Sequence, residues 1–362
     1  MESVYTFEHP GVPKDDTAVY DARNHPFRLY GLYRPEEKGV FKRMPYEAAS
    51  KAGKRVGLLY ANTAGARLRF STDSDFIAVG ALYPPFSIPS ARTAALCGAG
   101  AFCFDLYADG EYCRVLWPEE CVQEGNVPGF RIMEGRYEAV HFFSEKKERQ
   151  ITLNFPSFVN VSKLYIGLGK EAALNGPQPY VNEKPVVFYG SSITQGACAS
   201  HPGNTYENVL SRKLNIDYVN LGFASGAKAD DSVMEHICSL DLSMLVFDYD
   251  HNAKTPEFLK ETHLPALRKI RSSHPDIPIV LMSRPNRDGG EEAVKERIGI
   301  IKDSCRILGE EFPGPVHFIN GQDVFNSRDS EMMTVDGTHP TDLGHYCIAE
   351  ALREVLVRYY GQ

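Results

Sequence analysis

The 362-residue chain has no Cys-x-x-Cys pair, although eight cysteines occur at positions 97, 103, 113, 121, 198, 238, 305 and 347. A zinc knuckle and a thioredoxin-type redox motif therefore lack support. A cysteine such as Cys103, between Phe102 and Phe104, reads instead as a small buried hydrophobe in a reducing compartment. Dense Lys/Arg runs are also missing, and the net charge is −8. Without clustered cations to neutralise phosphates, nucleic acid is not an expected partner. No window approaches the roughly 18–20 apolar residues that cross a bilayer. Residues 1–8 do not pair a basic stretch with an apolar one, as a secretory signal does. The expectation is a cytoplasmic protein with no membrane partner.

What is present is a chain long enough for two cores, with 43% hydrophobic residues. The first half reads as β-rich. Short β-branched and aromatic segments at 56–61, 67–72, 76–83, 101–107, 112–117, 150–155 and 164–168 are separated by turn residues. Asp109-Gly110 is the clearest hairpin signal, since glycine accepts the positive φ of a tight turn. Many short strands and no long periodic helix predict a β-sandwich or jelly roll over residues 1–180. The run Asn175-Gly176-Pro177-Gln178-Pro179, with Pro185 beyond it, disfavours regular structure and marks a boundary. From 184 to 362 the pattern changes. Apolar runs at 186–189, 217–221, 244–248, 277–282 and 316–319 alternate with helical patterns at 206–214, 232–237, 256–273, 291–312 and 343–359. That alternation predicts an α/β fold with a doubly wound parallel sheet, whose ligands bind beyond the carboxyl ends of the strands.

The first of these strands runs into Gly190-Ser191-Ser192-Ile193-Thr194-Gln195-Gly196. A serine on such a turn is either a nucleophile awaiting a base or part of a loop that cradles a phosphate. No Walker lysine and no third glycine follow, which lowers the phosphate reading. Far downstream, Asp336-Gly337-Thr338-His339 puts a carboxylate and an imidazole three residues apart on a tight loop. The carboxylate can fix the tautomer of the ring while the other ring nitrogen faces a serine. Oxyanion donors are sought after the second and third strands. Ser225 and Gly226 close the run 220–226, and Asn252 follows Asp248-Tyr249-Asp250-His251. A backbone N–H and a side-chain amide held in place before reaction stabilise a tetrahedral oxyanion.

These four blocks resemble those of the SGNH/GDSL hydrolases, and Cys103-Phe104-Asp105-Leu106-Tyr107 is similar to the Gly-x-Asp-Leu-Tyr signature of a β-domain that precedes some such esterases. The resemblance implies a three-layer, flavodoxin-like α/β domain and ester hydrolysis through an acyl-serine. It makes Ser192 the nucleophile and an oxyanion donor, His339 the general base, Asp336 its orienting partner and Asn252 the side-chain donor. Ser191 stands where the family has aspartate, and the usual Gly-x-Asn-Asp block is replaced. Spacing from Asn220 selects Ser225 as the second donor, whereas residue type selects Gly226.

The expected function is hydrolysis of short-chain, chiefly acetyl, esters of carbohydrates, with a small ester or acetylated sugar as substrate and no cofactor or metal. The competing reading is an inactive carbohydrate-binding protein on the same fold, with Tyr30 and Tyr33 stacking on sugars. A metal hydrolase is disfavoured because His339 and His345 are six apart, not the four that align two ligands on one helix face. His236, His263 and His274 are expected to be solvated. Arg284, in the loop 283–290 after the fourth strand, is a candidate substrate contact or half of a surface salt bridge. A homo-oligomer is compatible with the sequence.

Overall fold

The computed structural model describes residues 5–85, 96–118, 135–182, 184–285, 290–325 and 330–361. Contacts divide the chain into two compact units. One comprises Met1–Lys42, Ala61–Pro179 and His201–Gly203, the other Arg43–Tyr60, Tyr180–Ser200 and Asn204–Gln362. Each unit borrows a short segment from the other's side of the 180–184 stretch.

The first unit is built from strands β1 (Thr17–Asp21), β2 (Arg28–Tyr30), β3 (Arg67–Thr72), β4 (Phe76–Tyr83), β5 (Phe104–Ala108), β6 (Glu111–Leu116), β7 (Gly135–Phe142), β8 (Arg149–Asn154), β9 (Lys163–Gly169) and β10 (Leu174–Asn175). They form two antiparallel sheets, ordered β1-β9-β4-β7 and β10-β3-β8-β5-β6, with β2 added to β3. The sheets meet through aromatic rings. Phe104 of one lies 5.3 Å from Tyr137 and 6.4 Å from Tyr83 of the other. Asp109 and Gly110 both take positive φ, 53° and 83°, in the β5–β6 hairpin, as a two-residue turn matched to strand twist requires.

Two of the expected strands differ. Residues 56–61 are mostly helix, Lys54–Leu59, which buries Val56 and Leu59 three positions apart. Residues 101–107 divide into a helical turn, Gly98–Phe102, and β5. Short apolar runs do not distinguish a helix turn from a strand by periodicity, because both bury every residue that faces the core.

The second unit is a five-stranded parallel sheet of β11 (Val186–Gly190), β12 (Tyr218–Gly222), β13 (Met244–Asp248), β14 (Ile279–Met282) and β15 (Val316–Ile319), in the order β12-β11-β13-β14-β15. Helices α1 (Tyr206–Leu214), α2 (Asp231–Ser239), α3 (Pro256–Ser273), α4 (Glu291–Glu311) and α5 (Asp342–Tyr360) flank it. On one face Tyr206, Leu210, Ile348, Leu352 and Leu356 of α1 and α5 pack on Val186, Phe188, Val246 and Val280. On the other face Phe247 meets His263 of α3. Buried from both sides, β11, β13 and β14 are apolar except at their ends. β11 lies between β12 and β13, so strand order reverses there. The crevice at its carboxyl end is where open α/β sheets take ligands.

Candidate active site

Ser192 sits in the turn directly after β11. Its Oγ is 2.8 Å from His339 Nε2, and His339 Nδ1 is 2.9 Å from Asp336 Oδ2. A carboxylate only accepts, so Nδ1–H donates to Asp336 and Nε2 is left to accept the Ser192 hydroxyl proton. The turn that presents His339 is closed from inside: Asp336 Oδ1 accepts the backbone N–H of Thr338 (3.1 Å) and of His339 (2.8 Å), and Val335 N–H donates to the His339 carbonyl. Partial burial works against the Asp336 carboxylate. The N–H groups and imidazole of His339 outweigh it and push its pKa down to about 2.

The distance between serine and histidine is set by Asp342, which sequence reasoning passed over. Its carboxylate accepts from the Ser200 N–H (2.8 Å) and Oγ (2.5 Å) and from Asn204 Nδ2 (2.9 Å). The segment following the nucleophile turn is thereby tied to the first turn of α5, three residues beyond His339. His345 donates its Nε2–H to the Ala197 carbonyl at 3.1 Å and is fully buried, so it belongs to this scaffold. Among the described residues, no three His, Cys, Asp or Glu side chains come together to hold a metal.

The loop after β12 packs against the serine turn so closely that a Cβ on Gly222 would collide with the backbone of Thr194 and Gln195. Gln195 Oε1 accepts the Ala224 N–H at 2.9 Å. The N–H groups of Gly226 and Ala227 both donate to the Phe223 carbonyl, at 2.8 and 3.2 Å. Ser225, with φ of 56°, keeps its N–H outside this turn. Gly226 N–H is thus consumed within the turn, whereas Ser225 N–H has no acceptor among the described residues. Asn252 Nδ2 also donates to the Phe223 carbonyl, at 3.0 Å, and its second amide hydrogen has no acceptor among the described residues. One carbonyl therefore aligns the loops after β12 and β13.

Two buried charge systems, neither evident in sequence, hold those loops. Arg43, 1% exposed, donates through Nη1 to the carbonyls of Asn220 (3.0 Å) and Gly222 (2.7 Å), and through Nη2 to Leu59 (2.8 Å). Burial lowers its pKa to about 9. Asp250, 1% exposed, pairs with Arg284 (3.3 Å) and Arg297 (2.8 Å) beneath Asn252. Arg284 is thus committed to a buried ion pair rather than a surface one. Positions 286–289 of its loop lie outside the described residues.

The expectation of solvated histidines is corrected at two positions. His236 and His263 are buried, 5% and 2% exposed, and desolvation lowers each pKa to about 4; both are core residues, not solvated ones. His274 is intermediate in burial. The rings of Tyr30 and Tyr33 are half-buried beneath cations, Arg69 at 5.9 Å and Arg34 at 5.2 Å. In the first unit, Asp105 of the Asp-Leu-Tyr signature is fully buried and accepts from Asn154 Nδ2 (2.7 Å), His201 Nδ1 (2.6 Å) and Gly203 N–H (2.6 Å).

A strand-end serine joined to histidine and aspartate on a 2-1-3-4-5 parallel sheet defines an SGNH/GDSL-type hydrolase fold. Residues 183–357 match the GDSL-like lipase/acylhydrolase family, and residues 17–174 match the GxDLY N-terminal region of SGNH hydrolase-type esterases. Among solved structures, a GDSL-like lipase from Bacteroides ovatus shares 26% identity and a TM-score of 0.79, over 95% of this chain and 98% of that one. A salicylyl-acyltransferase from a tetracycline biosynthetic pathway shares 20% identity and a TM-score of 0.75, with 95% and 98% covered. An acetyl xylan esterase from the rumen bacterium Butyrivibrio proteoclasticus has the same fold at 11% identity and a TM-score of 0.58, with 96% and 99% covered. No curated protein matches the chain.

Proposed function

We propose that this protein is a serine esterase that removes short acyl groups, acetyl foremost, from carbohydrate esters through an acyl-serine. The observation that carries the reading is the continuous hydrogen-bonded path from Ser192 Oγ through His339 to Asp336. In the first step Ser192 Oγ bonds to the ester carbonyl carbon as its proton passes to His339 Nε2. The carbonyl oxygen becomes an oxyanion facing the N–H groups of Ser192 and Ser225 and the amide of Asn252. Collapse breaks the carbon–oxygen bond to the alcohol, which leaves with the proton from His339. Water then repeats the sequence on the acyl-serine, releasing a carboxylic acid and restoring Ser192.

Asp336 stays ionised throughout, orienting the ring and stabilising the imidazolium. The acetyl and carbohydrate parts of the reading draw support from the fold shared with the acetyl xylan esterase. An intact, correctly directed Ser–His–Asp path weighs against an inactive sugar binder. The test is hydrolysis of p-nitrophenyl acetate and of acetylated mono- and oligosaccharides by the full chain and by Ser192→Ala. Acetate release that disappears in the variant supports the proposal, and equal rates overturn it.

A further inference from the structure

Ser225 and Asn252 are the donors proposed above for the oxyanion. They also line a cavity of about 540 Å³ within the second unit, together with Lys228, His251, Lys254, Arg284 and Arg297. That volume suits a whole small molecule and far exceeds what a two-carbon acyl group needs. The described lining contains four cationic side chains and no carboxylate. Arg284 and Arg297 are neutralised in part by Asp250 beneath them, and Asp230 lies near Lys228. The Lys228 and Lys254 ammonium groups have no ion-pair partner among the described residues. Thr255 and Pro256 bring the N-terminus of the eighteen-residue helix α3 to the same wall, and its dipole adds positive potential.

His251 completes the wall as an uncharged ring. His251 Nε2 is buried and has no hydrogen-bond partner among the described residues. Burial, reinforced by Arg284, lowers the pKa of this imidazole to about 3, so it is neutral at physiological pH. The ring therefore adds no charge of its own to the wall, whose potential is left to the lysines and arginines.

We infer that this cavity selects esters that carry an anionic group, a carboxylate or a phosphate, held by Lys228 and Lys254 while the ester carbonyl lies against Ser225 and Asn252. The inference rests on the esterase reading and narrows its substrate to acidic acyl sugars, such as acetylated uronic acids or acetylated sugar phosphates. Lysine ammonium groups recognise such anions as point charges, so the preference is sensitive to salt.

The experiment compares kcat/KM of the full chain for an acetylated glucuronic acid, its uncharged methyl ester, acetylated glucose and acetylated glucose phosphate. The expected result at low salt is at least a tenfold preference for one charged ester over its neutral counterpart. The ratio should fall to threefold or less in the Lys228→Ala/Lys254→Ala double variant and in 0.5 M salt. Preference for the uronate or for the phosphate identifies which anion is taken. Equal kcat/KM for charged and neutral esters overturns the inference and leaves the esterase reading intact. If no ester is hydrolysed, the esterase reading fails and the inference is read from binding. Glucuronate or glucose phosphate should bind Ser192→Ala by calorimetry and bind at least tenfold more weakly when both lysines are also replaced. Absence of binding, or binding indifferent to the lysines, overturns it.

Discussion

Ser225 and Gly226 differ in one hydrogen bond, and that bond favours Ser225 as the proposed oxyanion donor. Gly226 N–H closes a turn onto Phe223, whereas Ser225 N–H does not. The proposed role uses only the backbone of Ser225, whose φ is 56°, so Ser225→Gly relieves strain without removing the donor. Its kcat on p-nitrophenyl acetate is expected within threefold of the parent chain; a hundredfold loss would show that the hydroxyl takes part. Asn252→Ala removes a side-chain donor instead and is expected to lower kcat about 10²–10³-fold with little change in KM. Asp336→Asn keeps the shape of the turn but upsets the tautomer of His339, so kcat should drop by about 10⁴. Steady-state kinetics distinguish all three. That Ser192, His339 and Asp336 could meet was legible, because the serine follows a strand and the pair precedes the last helix. The choice at 225–226 was not legible, because sequence does not record which N–H a turn consumes.

At the scale of elements, the loops that carry the site are held by charges placed far away in the chain. The short turn Asp250–Asn252 stands on a buried carboxylate shared by Arg284 and Arg297, from the ends of β14 and the body of α4. Removing one member of such a system strands the others without a partner. Asp250→Ala is therefore expected to cost about 3–5 kcal/mol in stability, read by urea unfolding. A loss below 1 kcal/mol would mean that the arginines find other partners. In sequence Arg284 read as a substrate contact or half of a surface salt bridge, because the buried partner 34 positions earlier is set only by folding. Asp105 acts in the same way in the first unit, where its three hydrogen bonds hold His201–Gly203. The Asp-Leu-Tyr signature was visible, but the segment it holds was not.

For the whole molecule, stability carries a pH dependence written into the core of the second unit. Asp248 is buried at the end of β13, and neither side-chain oxygen has a hydrogen-bond partner among the described residues. Burial first, then Asp250, raise its pKa to about 8 against the opposing pull of Arg284. The folded chain therefore keeps a proton that the unfolded chain releases above its ordinary value of about 3.9. Stability is lost as pH rises between these two values, at up to about 1.4 kcal/mol per pH unit. Glu207, buried nearby and also raised by desolvation, acts in the same direction. Asp248→Asn removes the first contribution, so its melting temperature should decline less between pH 5 and pH 8 than that of the parent chain. Parallel declines, measured by calorimetry, would contradict the assignment. No described helix is long and apolar enough to cross a membrane.

By itself the sequence determined the order and type of nearly every element of the parallel sheet, since hydrophobic period and turn residues act locally. It determined the chemical kinds at the strand ends for the same reason. Only the tertiary structure decided which groups meet. It joined Ser192 to His339 across 147 positions, turned the strand expected at 56–61 into helix, and drew Arg43 beneath the loop after β12. It also buried His236 and His263 and gathered Lys228 and Lys254 around one cavity. Those outcomes depend on contacts between residues far apart in the chain, where burial and charge pairing outweigh local preference.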